Sequence, residues 1–594
     1  MKNLICILSL LSLCAPRAAQ SQQVFEREKR DYTWLLGYGG FAGPPFGGMR
    51  LDFNTSPPSL GLDLREMGFE ATNGSICSSA GQLLLYTNGI YIAGGNHEPI
   101  ENGTGINPGP WAEQWAYNGL PIIQGALWLP APGHEASRYH LFHETRVEEA
   151  EPNPYGYTQT VRELYCTTVE LTDAHPEGEV VEKNVAVIRD TLDYGKITAV
   201  RHANGRDWWV VAPEYFSNGY YRLLVGRDTV ANLGKQVIGD SIPSGVGQAV
   251  FSPDGAKYIR YNVVYLGLDQ YLDIFDFDRC TATLSNPRHI IFRDTSLYAG
   301  VVVSENSRFL YVSSNRYVYQ YDLEAPDIEA SRQLVATYDG FTSPTIYQTR
   351  FHQAQLAPNG KAYIAAPTTT DYVHVIHQPN QKGPACNLEQ HAIQLPRLNK
   401  RTMPNYPYYG LGPADGTPCD SLGIDNPPPQ AMFSYVAGSA SIAFYDGSLY
   451  SPTSWHWEFG DGSSSDSRHP EHAYAAPGAY QACLTVSNSS GQDMYCTLIE
   501  LLVSGAGEAP GRGAGLLRAY PNPAVSIAYI GYQLDVDGII QLLDINGRLQ
   551  ALLPAPAAEQ QARLDVSGLA PGLYWVRLVG PAGTAGIVKL AVAR

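Results

Sequence analysis

The chain has 594 residues, 44% hydrophobic and 16% charged, a composition that suits a folded protein of three or four domains. The net charge of −17 gathers between residues 22 and 507, where 51 acidic side chains stand against 31 basic ones. Such a body repels phosphate backbones and anionic lipid, which excludes nucleic acid as a partner. Gly (58), Pro (42) and Tyr (39) are abundant and no long stretch has a clean 3.6-residue apolar period, so the prediction is an all-β protein.

The first 21 residues read as a signal peptide. Lys2 supplies the positive end, Leu4 to Leu13 the apolar run, and Ala18, Ala19 and Ser21 the small residues before a cut that leaves Gln22 first. Cys14 offers a lipidation alternative, which the bulky Leu13 before it disfavours. The apolar run is too short for a stable membrane span, and no other segment offers one.

Residues 22–425 repeat a strand, a tight polar turn, a second apolar strand and a third strand. Second-strand cores include Asp207-Trp208-Trp209-Val210-Val211 and Arg308-Phe309-Leu310-Tyr311-Val312, and the turns before them fall at 81, 133, 205, 255, 306 and 360. A period of about 50 residues built from short strands predicts a β-propeller, because a four-stranded blade cannot bury both apolar faces alone and must stack in a ring. Six units are clear. A seventh blade is expected to close the ring from segments around Leu51-Asp52-Phe53 and His391-Ala392-Ile393-Gln394-Leu395, giving about seven blades. Asp276, Asp278 and Asp322 sit on third strands, either as blade-edge hydrogen bonders or gathered around a central channel.

The Pro-rich break at Asn426-Pro427-Pro428-Pro429 opens a second domain over 426–504. Period 2 puts Trp455, Trp457 and Phe459 on one face and His456 and Glu458 on the other, before the turn Gly460-Asp461-Gly462. His472-Ala473-Tyr474 and Pro477-Gly478-Ala479-Tyr480 follow. The block resembles a PKD domain through Trp457, Phe459, Gly460, Asp461, Gly462, His472, Tyr474, Gly478 and Tyr480. The resemblance implies an immunoglobulin-like β-sandwich, an extracellular spacer or binding module without catalysis. Cys483 and Cys496 flank the turn at Asn488-Ser489-Ser490-Gly491 and are candidates for a disulfide across a hairpin. Seven cysteines remain after the signal peptide, with no CxxC and no zinc spacing, so at least one thiol is free.

Residues 505–515 are a Gly/Ala-rich linker. The last block, 516–594, holds Tyr520-Pro521-Asn522-Pro523, a hairpin signal at Asn546-Gly547-Arg548, the strand opening Gly572-Leu573-Tyr574, and Lys589 in the terminal Lys589-Leu590-Ala591-Val592-Ala593-Arg594. It resembles the type A C-terminal sorting domain of the type IX secretion system of Bacteroidota, carried by Pro521, Asn522, Pro523, Gly547, Arg548, Gly572, Tyr574 and Lys589. The resemblance implies a β-sandwich and passage through the periplasm to the outer surface of a Gram-negative cell. It also implies the secretion machinery and its sortase as partners, with release or surface attachment after cleavage.

No catalytic motif appears: G-x-S-x-G and H-E-x-x-H are absent, and the Gly-rich stretch from Gly37 to Gly48 does not open a strand–helix dinucleotide unit. His140 and His143, and likewise His374 and His377, are three apart on strands and so cannot share a metal. No cofactor is expected. Asp461 and Asp466, with serines between them, are weighed as Ca²⁺ ligands against plain turn polarity, and lack the twelve-residue loop pattern. The leading expectation is a surface-displayed protein whose propeller funnel or loops bind a glycan or protein, with the PKD block as spacer. The alternatives are a propeller hydrolase or lyase, lactonase-like or glycan-active, and a structural surface or matrix protein.

Overall fold

The computed structural model describes residues 23–592, apart from 41–42, 150–157, 265–268, 295–297, 344–345, 438–440, 477, 502–516, 521–526, 533–536, 544–548, 559–560, 567–568, 570–571 and 581–582. The signal peptide therefore lies outside the described residues. The chain divides into two compact units, Met1–Leu501 and Leu502–Arg594. Apart from the short helix Pro110–Gln114 and the 3-10 turn Gly383–Cys386, the regular elements described are strands.

Residues 33–399 form a set of antiparallel sheets. Thr33–Gly37, Gly48–Asp52 and Ser59–Leu62 make a three-stranded sheet. A nine-stranded sheet follows, in which the order from Gly74–Cys77 out to Pro99–Thr104 meets the run from Ala126–Pro130 out to Glu179–Leu192. The join is one parallel pair, Glu101 beside Glu179. Four four-stranded sheets complete the set, starting at Thr198, Val246, Gly300 and Ala354.

In four places the first strand of a unit is buried throughout. All residues of Gly74–Cys77, Ala126–Pro130, Thr198–Arg201 and Gly300–Val303 are buried, whereas the fourth strands Val230–Val237 and Gln333–Thr337 are largely exposed. First strands of successive units lie side by side, and the last strand, Leu388–Asn399, lies against the three-stranded sheet. Strands near the axis are covered on both faces, which is why they read as continuous apolar runs. Trp208 and Trp209, adjacent and both buried, pack into two different core clusters on opposite faces of their sheet. This is a propeller-like ring. Gly205 and Gly255, in the repeated turns, hold positive φ of 76° and 71°, and Ser307 takes the same left-handed region in the turn at Glu305-Asn306.

Ring closure differs from the expectation. Leu51 pairs with Trp34 and Leu60 inside the three-stranded sheet, while Ile393 pairs with Val373 in the last four-stranded sheet. The two segments belong to neighbouring sheets and share none. The reason is that a later segment, Thr402 to Leu411, returns to the middle of the ring. Asn405 Nδ2 donates to the carbonyls of Ala126 and Ile197, both at 3.0 Å, and its backbone N–H donates to Asn73 O at 3.0 Å. Tyr406 OH donates to Thr33 O at 2.9 Å and Tyr409 OH to Trp128 O at 3.1 Å. Gln124 Nε2 bridges Asn405 Oδ1 and Ala249 O. Bonds to first strands on different sides of the ring place this segment on the axis, with Met403, Tyr406 and Tyr409 buried in the main core. Lys400 and Arg401 meet Glu70 where it enters. Where it leaves, a disulfide joins Cys419 to Cys280.

The PKD-like block is a sandwich of two sheets. Phe433–Ala437, Ile442–Asp446 and Glu471–His472 form one, and Ser464–Ser465, Ser454–Glu458, Gly478–Asn488 and Gly491–Leu501 the other. Trp457 and Phe459 are buried among Phe433, Phe444, Leu484 and Val486, while His456 and Glu458 are exposed. Gly460 has φ of 81°, and a Cβ there would stand 2.6 Å from Gln481 O. Tyr474 OH donates to Phe459 O at 3.0 Å, and its ring stacks on Tyr480. Cys483 and Cys496 are directly opposite in the hairpin, 4.1 Å apart at Cα, and are joined as a disulfide. Cys77, Cys166 and Cys386 are free and buried.

The second unit is also a two-sheet sandwich, with Ala528, Ile530, Leu542, Tyr574, Val576 and Leu590 in its core. Gly572 opens the strand Gly572–Gly580, and Lys589 lies on the strand Gly583–Val592, paired with Trp575. Pro521, Asn522, Pro523, Gly547 and Arg548 lie outside the described residues. The strands Gly538–Leu543 and Leu549–Ala555 on either side of the last two are antiparallel neighbours.

Candidate functional site

With Thr402 to Leu411 in place, the space left beside Tyr406 and the inner strands is about 40 Å³, well below the ~300–1,000 Å³ of small-ligand sites. The aspartates weighed as channel groups are elsewhere. Asp276 bonds Lys257 (2.6 Å), Asn286 (2.7 Å) and Arg288 (3.1 Å). Its carboxyl falls to about 2, because these bonds outweigh partial burial. Asp278 caps a turn at Cys280 N, and Asp322 takes both arms of Arg308 at 3.0 and 2.8 Å. They serve blade edges and the border with the PKD-like block.

The histidine pairs lie on opposite faces. His143 is fully buried between Asn107 and Thr167, whereas His140 faces a side groove with Thr168, and Cys166 Sγ stands 3.9 Å from its Nδ1. His374 is buried and His377 bonds Glu389. Asp461 accepts from Ser463 and meets His472 Nε2 at 2.8 Å, while Asp466 meets His456 Nδ1 at 2.7 Å. The two carboxylates turn to separate imidazoles.

A cleft of about 440 Å³ opens where the axial segment leaves the ring and the PKD-like block begins. This lies within the ~300–1,000 Å³ of small-ligand sites. The ring contributes Arg27, Tyr32, Asp254, Glu305 and Tyr408; the block contributes Tyr450, Trp455 and Arg468. Arg27 is placed by the strand Gln23–Val24, which pairs in parallel with Ile424–Asp425, and its guanidinium stands 5.2 Å from the centre of the Tyr408 ring. Tyr408 is set by the last turn of the axial segment and donates to Glu305 Oε1 at 3.4 Å. Burial pushes the Glu305 carboxyl above its ordinary range, against the pull of Arg27. Burial, with Glu305 beside it, also raises the Tyr408 hydroxyl, which therefore stays a donor.

Tyr450 and Ser451 stand in the left-handed region at φ of 63° and 52°. For residues with a Cβ this costs about 1–3 kcal/mol each, and such strain gathers at functional sites. Asn488 Nδ2 holds the loop by donating to Tyr450 O at 3.0 Å. The two sides of the cleft are clamped together. Glu324 of the ring meets His469 at 2.7 Å and Arg468 at 3.3 Å, and Arg308 stacks on Tyr445 at 4.0 Å. The block thus walls the cleft as well as following the ring. Of these residues only Trp455 is marked by sequence spacing, and as part of an apolar face; the rest come from scattered positions between 27 and 468.

The comparisons with known proteins bear on the two C-terminal domains. The family pattern described as PKD domain matches residues 434–501, and that described as secretion system C-terminal sorting domain matches residues 518–591. No curated protein matches the chain. Among solved structures, the PKD1 domain of the Vibrio cholerae metalloprotease PrtV is 27% identical, over 12% of this chain and 95% of that one, with a TM-score of 0.12. A putative 6-phosphogluconolactonase from Bacteroides uniformis is 12% identical over 62% of this chain and 98% of its own, with a TM-score of 0.36. A gluconolactonase from Xanthomonas campestris, XC5397, is 13% identical over 59% and 96%, with a TM-score of 0.27. Behind its propeller-like ring the chain therefore carries a PKD domain and a secretion system C-terminal sorting domain, the signature of export by the type IX secretion system to the cell surface or extracellular space.

Proposed function

We propose that this protein is a surface-delivered binding protein that holds a glycan in the cleft between its ring and its PKD domain. The ring is read as seven blades, with the nine-stranded sheet counted as two. The cleft carries the reading: Tyr32, Tyr408, Tyr450 and Trp455 bring apolar rings with polar edges to one cavity beside Arg27, Arg468 and Glu305. Sugar rings present the matching mixture of C–H faces and hydroxyls. After export the sortase of the secretion machinery is taken to act in the linker before the sorting domain.

The test uses the full mature chain on a panel of immobilised polysaccharides, scoring retention and released product together. The expected outcome is retention without product, weakened about tenfold or more by Trp455→Ala. Retention unchanged in Trp455→Ala would remove the cleft from the function. Product release abolished by Glu305→Gln would replace binding with hydrolysis or elimination, because Glu305 is the cleft carboxyl that burial holds toward its protonated form.

A further inference from the structure

The PKD domain ends on an open sheet edge. Its four-stranded sheet runs Ser464–Ser465, Ser454–Glu458, Gly478–Asn488, Gly491–Leu501, so the last strand, 11 residues long, has a neighbour on one side only. The register fixes which main-chain groups are left over. Asn488 faces Gly491 across the turn Ser489-Ser490, and on the other side of that strand Thr453 N–H donates to Ser487 O. Bonds alternate along an antiparallel ladder, so the odd-numbered residues of Gly491–Leu501 bond inward. Gln492, Met494, Cys496 and Leu498 turn their N–H and C=O groups outward, where no strand pairs with them among the described residues.

Sheet edges are normally blunted by a charge, a proline or a bulge. Met494-Tyr495-Cys496-Thr497-Leu498-Ile499 has neither charge nor proline, in a chain of net charge −17. Its ladder with Gly478–Asn488 runs without a register shift. Met494 and Leu498 share a face with Cys496 between them, and they are 58% and 56% exposed. The Cys483–Cys496 disulfide ties this face to the neighbouring strand. An uncharged, β-prone segment of this kind on an open edge is a template for another strand.

We propose that this edge pairs with the same edge of a second copy of the chain, antiparallel about a two-fold axis at Cys496, joining the two PKD sheets into one. Charge and symmetry select that partner. Two copies of an acidic body repel where charged surfaces meet, and here they meet without charge. The pairing sets Met494 opposite Leu498 of the second copy, and Leu498 opposite Met494 of the second copy, so the exposed apolar side chains cover each other twice. Facing residues at these positions exchange both main-chain bonds. Glu500 comes level with Gln492 of the second copy, whereas a parallel in-register pairing would set two copies of Glu500 side by side. Met494, Cys496 and Leu498 do not line the cleft, so this pairing and the glycan reading stand or fall separately.

The test is analytical ultracentrifugation of the full mature chain across a micromolar concentration series. A reversible monomer–dimer equilibrium is expected, weak because an edge of this length buries less than the ~1,200 Å² of a standard interface. Added salt is expected to strengthen it, by screening the repulsion between the bodies. Leu498→Lys and Met494→Lys, both at exposed positions, are each expected to weaken the dimer about tenfold or more with the melting temperature unchanged. Under mild oxidation, a mixture of Met494→Cys and Leu498→Cys copies is expected to cross-link faster than either variant alone. A chain that stays monomeric at about 100 μM overturns the proposal. So does a dimer that both lysine variants leave intact, or one that salt weakens. A lysine-sensitive dimer whose mixed cysteine variants cross-link no faster than the single ones overturns the two-fold register.

Discussion

Buried ionisable side chains set the pH range in which this protein holds together. Burial lowers His143 and His352 to about 3 and His140 and His374 to about 4, because an imidazolium there would lose its water. A histidine lowered in this way contributes its stability in full above its ordinary value near 6.5 and loses it as the pH falls toward 3–4. Glu144 acts from the other flank. Burial raises its carboxyl to about 8, despite a bond from the Gly195 N–H, so its contribution is complete below 4.5 and is lost as the pH rises through 8. The melting temperature is therefore expected to fall on both sides of a maximum at mildly acidic to neutral pH. Glu144→Gln keeps an acceptor for Gly195 and is expected to stabilise by on the order of 3 kcal/mol at pH 8, with little change near pH 5. Melting curves that differ equally at the two pH values would refute this. The opposite facing of His140 and His143 was legible from strand parity alone. The burial of Glu144 was not, because Phe142-His143-Glu144-Thr145 reads like any strand end, and the groups around Glu144 arrive from residues such as Gly195 and Lys196.

Among the elements, the axial segment departs most from what its residues suggest. Thr402-Met403-Pro404-Asn405-Tyr406-Pro407-Tyr408-Tyr409-Gly410 has two prolines and no alternation, the pattern of a surface loop. It is fixed instead by side chains that bond backbone carbonyls of the inner strands, a pattern with no sequence period. The sheets around it were legible, since the turns recur at a nearly even spacing and each precedes a buried second strand. The Cys280–Cys419 disulfide, which spans 139 residues and pins the exit of the axial segment, was equally silent in the sequence. Replacing both cysteines by serine is expected to cost about 2–5 kcal/mol of stability in thermal or denaturant unfolding, as for other long-loop disulfides. An unchanged midpoint would mean that Asn405, Tyr406 and Tyr409 hold the segment without it. The Cys483–Cys496 bond closes a hairpin of 13 residues, and the same substitution there is expected to cost less.

At the scale of the whole molecule, the address was more legible than the activity. The sorting domain and the PKD domain each carry dense local motifs, whereas the cleft draws on residues from Arg27 to Arg468 that only the closed fold assembles. Removing residues 518–594 is expected to leave the protein in the periplasm, as cell fractionation with surface proteolysis would report; normal surface display of that truncation would disprove the assigned route. The axial segment has one more consequence, which concerns time. Tyr406 bonds the carbonyl of Thr33 across 373 positions, so the ring has no finished interior until residues near 411 have left the ribosome. A chain interrupted anywhere before that point lacks its own centre and exposes the inner strands of every blade at once. The body therefore matures as a whole or not at all, and a nascent chain stalled at residue 400 is expected to remain protease-sensitive throughout rather than show folded blades in order of synthesis.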